Sequence, residues 1–172
     1  TTITYYYDTF NRRISRTENS QTEHYLYREM DEIGAVVDNQ LTQLKVGGVQ
    51  NAVAIELQGK PYAVINDRFG NLAAIVCPMA GKTLTTYRYG AFGDQQRFGT
   101  VESPWRYRQK RHDAATELVY FGYRDYDIEL GTWSTPDPLG FADGPNLYAY
   151  VHHNPIILCD FDGRFSFMQN SS

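Results

Sequence analysis

Two aspartates in the second half of the sequence, Asp113 and Asp137, carry side chains that could together hydrolyse a peptide bond. Two carboxyl groups a few ångströms apart share one proton, because ionising both is costly. The ionised group can then activate water while the protonated group polarises a carbonyl. The two aspartates are 24 residues apart, which suits a strand, a turn and a returning strand that bring them face to face. The chain is rich in acidic residues, so spacing alone leaves other pairs open.

Arg124 lies 13 residues before Asp137. A fixed guanidinium could hold one carboxylate ionised or bind the oxyanion that develops during hydrolysis. The alternative is a salt bridge within a sheet. Asp137 itself stands in Thr135–Gly140, "TPDPLG", which is typical of a structural turn because Asp side chains anchor turns. Asp160 and Asp162 are interpreted as turn residues that hold the following segment.

Metal, cofactor, nucleic-acid and membrane-spanning functions are not predicted. His152 and His153 are adjacent, so on a strand they point to opposite faces, and no Cys or acidic partner stands at ligand spacing. Cys77 and Cys159 are interpreted as buried free thiols. The net charge of −4 argues against a nucleic-acid binder with a basic face. No apolar run reaches the length of a membrane span.

The elements that must position these residues are short strands separated by turns. Aromatic and β-branched runs predict strands at Thr2–Asp8 and Glu23–Glu29. Hairpins are predicted at Asn51–Asp67, with its turn at "QGKP", and at Gly70–Gly90, with its turn at "AGK". A short helix is predicted at Asn146–Val151, just after a proline.

An internal repeat is visible when four segments are aligned on Asp8, Asp31, Asp67 and Gly90. Each has strand residues, then an acidic or small residue, then Gly or Asn a few positions later. The Asp side chain can close an Asx-type turn, and the Gly or Asn accepts a positive φ. Units of strand, turn and returning strand cannot bury their faces alone, so stacking predicts a continuous sheet.

These motifs resemble the Rhs/YD-repeat family, which includes polymorphic toxins and the C components of insecticidal toxin complexes. "YYYDTFNRR" is similar to the YD repeat, and Pro61–Gly163, with "VYFGYRDYD" and "WSTPDPLGFADGPNLYAYVHHNPI", is similar to the Rhs-associated core. The resemblance implies an all-β fold of mainly antiparallel hairpins, forming a segment of a larger spiralling β-shell with one or two short helices near the C-terminus. Residues 1–60 would be shell-wall hairpins, 61–164 the core and 165–172 a residual tail.

The resemblance also implies a site in the core that cuts the protein's own chain, in the manner of an aspartyl protease and without a cofactor. The aspartate of the family's "DPxG" motif corresponds to Asp137, the acidic residue of its "DxxTGL" motif to Asp113, and the arginine of its "GYRYYD" motif to Arg124. The cut would fall shortly after Gly163, most simply at Arg164–Phe165.

Three positions depart from the family's motifs. Glu117 stands where a glycine is usual, Thr132 replaces an arginine, and Phe161 replaces the proline of a second "DPxG" motif. The non-cleaving alternative is therefore a structural or adhesion module built of YD repeats. A free hydrolase or nuclease is disfavoured, because no triad, metal set or phosphate loop is visible.

The partners implied by the resemblance are the remainder of the protein's own YD-repeat shell and a toxin cargo that follows the cut. Secretion or toxin-complex components are further expected partners. The sequence begins directly in strand-like residues, and no signal-peptide pattern is visible in this segment. The resemblance therefore predicts a segment of a longer protein that is exported or secreted as part of a bacterial toxin.

Overall fold

The structure is a computed structural model that describes residues 2–47 and 51–169. The chain divides into two compact units. The first consists of Thr1–Tyr87 with Arg97–Ser103, and the second of Arg88–Gln96 with Pro104–Ser172. The boundary predicted from sequence between residues 60 and 61 separates shell-wall repeats from the core, and it is a different division from the one into compact units. This boundary stays a prediction.

Ten strands of the described residues form one sheet, in sequence order from β1 to β10. Each pair of neighbours from β1 to β9 is antiparallel. The all-β prediction is therefore confirmed. The strands are β1 (Ile3–Tyr7), β2 (Arg13–Glu18), β3 (Gln21–Arg28), β4 (Asp31–Val37), β5 (Gln40–Gly47), β6 (Ala52–Leu57), β7 (Lys60–Asn66), β8 (Leu72–Cys77), β9 (Lys82–Tyr89) and β10 (Gln95–Gly99).

Both predicted hairpin turns are present. Gln58 and Gly59 join β6 to β7 with φ values of 51° and 74°, the left-handed pair that suits the twist of a two-residue hairpin. Gly81, with φ 62°, precedes β9 and donates its amide to the carbonyl of Cys77. The local turn chemistry thus fixes the strand register.

The repeat is confirmed at Asp8 and Asp67, which close the same Asx-type turn. In each, Oδ1 accepts the backbone amides two and four residues later, at 2.8–2.9 Å. The second oxygen accepts a side-chain bond from Arg12 or Asn71, at 2.7 and 2.8 Å. The backbone of Gly90 forms the same two turn-closing hydrogen bonds, with residues three and four positions later, as the backbones of Asp8 and Asp67. Three of the four aligned segments therefore form the same kind of turn.

The fourth aligned segment, at Asp31, does not form this turn, so the alignment there was wrong. Asp31 begins β4 directly after the two-residue turn at positions 29 and 30, and it pairs across the hairpin with Arg28. Its carboxylate bonds Nζ of Lys45 at 3.0 Å instead of backbone amides. The sequence match was misleading because Gly34, the expected turn glycine, lies within the strand, where a side chain would meet the Gln43 carbonyl.

In the second unit, the residues that the structure describes form short strands and three 3₁₀ turns. Four strands form one antiparallel sheet and two form another. The first sheet holds β11 (Arg111–His112), β12 (Leu118–Tyr120), β13 (Asp125–Asp127) and β14 (Thr132–Trp133), and the second β15 (Leu158–Asp160) and β16 (Ser166–Met168). The 3₁₀ turns span Tyr107–Gln109, Gly140–Asp143 and Val151–His153.

The helix predicted at Asn146–Val151 is wrong in position. Asn146 instead closes a turn by accepting the amide of Ala149, which forms a β-bridge with Thr132. One short 3₁₀ turn lies before this segment, and another begins at its last residue, Val151. Pairing with β14 outweighs the weak local preference for helix, and a segment of six residues is too short for a stable isolated helix.

A cluster of aromatic rings forms the core of the second unit. Phe121 meets Trp133 edge to face at 5.1 Å, and Tyr126 lies 4.3 Å from Tyr150. Such ring pairs add to the free energy of burial. The buried members are Tyr107, Val119, Phe121, Tyr126, Trp133, Tyr150 and Val151. These residues come from the first 3₁₀ turn, from β12 and the residue after it, from β13 and β14, and from the segment before β15, so the core fixes the elements that carry the candidate site.

The described residues contain no helix long and apolar enough to cross a bilayer. Within the same ranges, no group of three or more His, Cys, Asp and Glu side chains is arranged to hold a metal ion.

Candidate active site

Arg124 is the central residue of the site and lies in the turn that joins β12 to β13. Its carbonyl accepts the amide of Phe121, which closes the turn. The guanidinium lies 4.3 Å from the ring centroid of Trp133, within cation–π distance, and the residue is only 3% exposed. Since Trp133 belongs to the aromatic core, the guanidinium is held in one orientation.

The guanidinium gathers two carboxylates and a backbone carbonyl around itself. Nη2 lies 2.8 Å from Oδ2 of Asp137 and 3.7 Å from Oδ2 of Asp160. Nε donates to the carbonyl oxygen of Gly163, and Nη1 donates to that of Leu147 at 3.2 Å. The planar fork of an arginine can serve several acceptors at once in this way. Arg124 thus forms a buried ion pair between separate turn segments rather than within a sheet, and its role stays a prediction.

Asp137 serves a turn and the ion pair together. Oδ1 accepts the amide of Leu139 at 2.7 Å, and the Asp137 carbonyl accepts that of Gly140 at 3.0 Å. The backbone amide of Asp137 donates to the carbonyl oxygen of Leu147 at 3.0 Å. The second oxygen remains for Arg124. The interpretation of Asp137 as a turn residue thus holds, and the oxygen that the turn does not use is the one that pairs with Arg124.

Asp160 ends β15 and holds the segment that follows it, as predicted from sequence. Its Oδ1 accepts the amides of Asp162, Gly163 and Arg164 at 3.0, 2.7 and 3.3 Å. Burial raises the pKa of Asp160 to about 6, against the lowering effect of those amides and of Arg124. A carboxyl group with this pKa is partly protonated near neutral pH.

The predicted cleavage segment begins at a glycine that no other residue could replace without strain. Gly163 has φ 86°, and a Cβ there would lie 3.0 Å from the backbone nitrogen of Arg124. Arg164 pairs with Asp162, with Nη2 and Oδ2 2.6 Å apart, and lies 4.0 Å from the ring centroid of Tyr123. Phe165 follows and is exposed. The chain is thus held tightly at Gly163 and emerges toward solvent within two residues.

Asp113 is buried in the turn that joins β11 to β12. Its Oδ1 accepts the amide of Ala115 at 3.0 Å, and its carbonyl accepts that of Glu117 at 2.8 Å. Glu117 has φ 60°, so the glutamate adopts the left-handed conformation for which glycine is usual. The described contacts do not test the predicted pairing of Asp113 with Asp137, which stays a prediction.

Asp160, a second carboxylate beside Arg124, was assigned from sequence only to a turn. A signal for it exists, because "DPLG" at Asp137–Gly140 and "DFDG" at Asp160–Gly163 share a D-x-x-G pattern. Both aspartates accept the amide two residues later, and both glycines have positive φ. The two motifs form similar turns that point their second oxygens at one arginine.

Comparison with known proteins decides the family. A family model described as Teneurin YD-shell matches residues 1–156. This chain belongs to the YD-shell family. The resemblance to YD-repeat proteins is thereby confirmed, and it extends across both units.

The YD-shell relatives include toxin proteins. Toxin subunit YenC2 of Yersinia entomophaga is 31% identical over 92% of this chain, which spans 19% of YenC2. The tRNA3(Ser)-specific nuclease WapA of Bacillus spizizenii is 29% identical over 94% of this chain, which spans 7% of that protein. A structure of the Photorhabdus luminescens Tc holotoxin pore superposes with a TM-score of 0.74 and 25% identity, over 99% of this chain and 9% of that one. The chain therefore has the fold of a small part of much longer YD-shell proteins.

Proposed function

We propose that this chain is the C-terminal core of a YD-repeat toxin shell and that it cuts its own backbone shortly after Gly163. The observation that carries the proposal is the buried guanidinium of Arg124, which contacts Asp137, Asp160 and the Gly163 carbonyl together. A pair of carboxylates and a positive charge thus surround a backbone carbonyl of the predicted cleavage segment. In this proposal Asp160 takes the role that the sequence assigned to Asp113.

The chemistry follows from the different surroundings of the two carboxylates. Asp137, in its ion pair with Arg124, accepts a proton from a water molecule as the water oxygen attacks the carbonyl carbon. Asp160, with its pKa raised to about 6, supplies the proton that the departing amine requires. Nε of Arg124 donates to the carbonyl oxygen and stabilises the negative charge that develops there. The peptide C–N bond breaks, and the reaction consumes one water molecule per chain.

The described contacts converge on the Gly163 carbonyl and the Arg164 amide, which lies 3.3 Å from Asp160 Oδ1. These atoms flank the Gly163–Arg164 bond, one bond before the Arg164–Phe165 bond favoured from sequence. Both bonds lie within the predicted segment, and the masses of the products distinguish them.

The proposed cargo is a toxin that follows the cut, and the proposed partners are the rest of the shell and components of a toxin complex. The relatives support this, since they include a toxin subunit and a nuclease. A non-cleaving structural or adhesion module is the second candidate. It is favoured by the match to a teneurin family model and by the departures at Glu117 and Phe161.

The test is intact mass of the full parent chain, or of this chain with a C-terminal reporter, after purification under native conditions. Wild type is compared with Asp137→Asn, Asp160→Asn and the exposed control Glu129→Gln. We expect one cut between Gly163 and Phe165 in wild type and control, and none in the two site variants. An uncut wild type in the complete shell would leave the structural module as the function.

A further inference from the structure

Asp143 is an acidic residue outside the carboxylate pair that reaches the far side of the predicted cleavage segment. It ends the 3₁₀ turn Gly140–Asp143, which follows the turn of Asp137. Its Oδ2 accepts both the amide and the hydroxyl of Ser166, at 3.2 and 2.7 Å. A carboxylate that binds the amide and the side chain of one residue fixes the position and rotation of the backbone there.

The other oxygen of Asp143 lies near a histidine. Nε2 of His152 lies 3.4 Å from Oδ1 of Asp143. His152 is in the middle of Val151–His153, three consecutive residues with φ values of 42°, 51° and 57°. Left-handed backbone is unfavourable for non-glycine residues. The buried side chain of Val151 anchors this turn in the aromatic core, so His152 is presented to Asp143 from a fixed position.

The predicted cleavage segment is therefore held at two points. On the upstream side, Arg124 and Asp160 bind the carbonyl and the amide of Gly163. On the downstream side, Asp143 binds Ser166, where β16 begins its pairing with β15. Only residues 164 and 165 lie between the two anchors. A peptide bond in this interval is fixed in position by both ends.

We propose that Asp143 is a positioning residue for the cut and that it selects a hydroxyl side chain at position 166. The inference rests on the proposed self-cleavage and adds a determinant downstream of the reacting bond. Asp143 does not contact the reacting atoms. It acts through Ser166, because loss of the downstream anchor lets the carbonyl move relative to Asp137 and Asp160. A displacement of about 1 Å can lower a rate on the order of 100-fold.

The test measures the first-order rate of self-cleavage in the full chain with a C-terminal reporter. The variants are Asp143→Ala, Ser166→Ala, the double variant and Ser166→Thr, which keeps a hydroxyl. We expect each single alanine variant to cut about tenfold more slowly, and at more than one bond. The double variant should be no slower than Asp143→Ala, because that substitution already removes both the amide and the hydroxyl contact, whereas Ser166→Ala removes only the hydroxyl contact. Ser166→Thr should restore a rate within about threefold of wild type and a single cut.

A second measurement separates positioning from loss of folding. In the uncleaved Asp137→Asn background, hydrogen exchange is followed for peptides covering residues 164–169 and for peptides of β12 and β13. Asp143→Ala should speed exchange in the first set and leave the second unchanged. Unchanged exchange at 164–169, an unchanged rate, or a threonine variant as slow as alanine would each overturn the positioning role. If the wild type is not cut, both the proposed function and this inference are wrong. If the wild type is cut at a rate that does not depend on Asp143, only this inference is wrong.

Discussion

Nη2 of Arg124 lies 2.8 Å from Oδ2 of Asp137, and both side chains are almost completely buried. Asp160, equally buried, lies 3.7 Å from the same nitrogen. One buried cation thus faces two carboxyl groups. If both were ionised, the cluster would carry an uncompensated negative charge in a low-dielectric interior. The pKa of Asp160, raised to about 6 by burial, relieves this excess because the group can take up a proton.

Arg124→Lys should abolish most of the self-cleavage although it keeps the positive charge. A lysine has one nitrogen and cannot contact Asp137, Leu147 and Gly163 together, as the guanidinium does. Loss of a donor to a developing oxyanion lowers rates roughly 100- to 1,000-fold. The cut fraction over time is followed by intact mass. The matched control is Arg97→Lys, in an exposed ion pair, and a wild-type rate in Arg124→Lys would contradict the role.

Asp160→Asn and Asp113→Asn should separate the two candidate partners of Asp137. Because Arg124 joins Asp160 to Asp137, we expect Asp160→Asn to stop the cut and Asp113→Asn to leave a rate within about tenfold of wild type. Asn preserves the shape of each side chain, so folding is checked by near-ultraviolet circular dichroism of the aromatic core. The reverse order of rates would restore the pairing predicted from sequence.

The stability of the fold should depend on the protonation of Asp160. Its pKa in the folded state is about 6, above the ordinary value of 3.8, so the folded state binds more protons between these values. This stabilising contribution is complete below about pH 4 and is lost as the pH rises through 6. The neutral Asp160→Asn lacks this titration. The free energy of unfolding of the variant relative to wild type should therefore increase by about 2–3 kcal/mol from pH 4 to pH 7.

Urea titrations at several pH values measure that difference. Glu129→Gln makes the same change of charge at an exposed position and serves as the control. A flat profile for Asp160→Asn would mean that Asp160 titrates normally in the folded protein. The self-cleavage rate of wild type should fall above about pH 6 for the same reason, because the protonated form of Asp160 becomes scarce.

Asp67→Ala should destabilise the sheet through its turn. The carboxylate accepts two backbone amides and the side-chain amide of Asn71. Loss of the acceptor should lower the free energy of unfolding by about 1–3 kcal/mol. Asp67→Asn keeps one oxygen in place for the two amides and should cost less than about 1 kcal/mol. Denaturant unfolding measures the loss of stability in both variants. Equal losses would show that the negative charge of Asp67, and not its hydrogen bonds in the turn, stabilises the fold.

The segment downstream of the cut should stay attached to the core after cleavage. β16 pairs with β15, Ser166 bonds Asp143, and the side chain of Gln169 donates to the carbonyls of Pro155 and Leu158. None of these contacts depends on the bond that breaks. Native mass spectrometry should show the two pieces together, and denaturing conditions should separate them. Two free species under native conditions would show that these contacts do not suffice.

The local structure was predictable because each turn is specified by a few neighbouring residues. The hairpin turn at Gln58 and Gly59 and the Asx-type turns at Asp8 and Asp67 depend on side chains within four positions. The helix at Asn146–Val151 was mispredicted because a β-bridge to Thr132 competes with it. Asp31 was misaligned because its Gly lies in a strand, which a short pattern does not distinguish from a turn.

By itself the sequence determined an all-β chain of YD-type hairpins, and it predicted a site that includes Arg124, Asp137 and the segment after Gly163. Only the tertiary structure decided which carboxyl group faces Arg124. Asp113 and Asp160 lie 24 and 23 residues from Asp137, and each accepts the amide two residues later, so neither spacing nor turn chemistry distinguishes them. The difference arises from packing: Trp133 in the aromatic core fixes the direction of the guanidinium, and the end of β15 places Asp160 beside it.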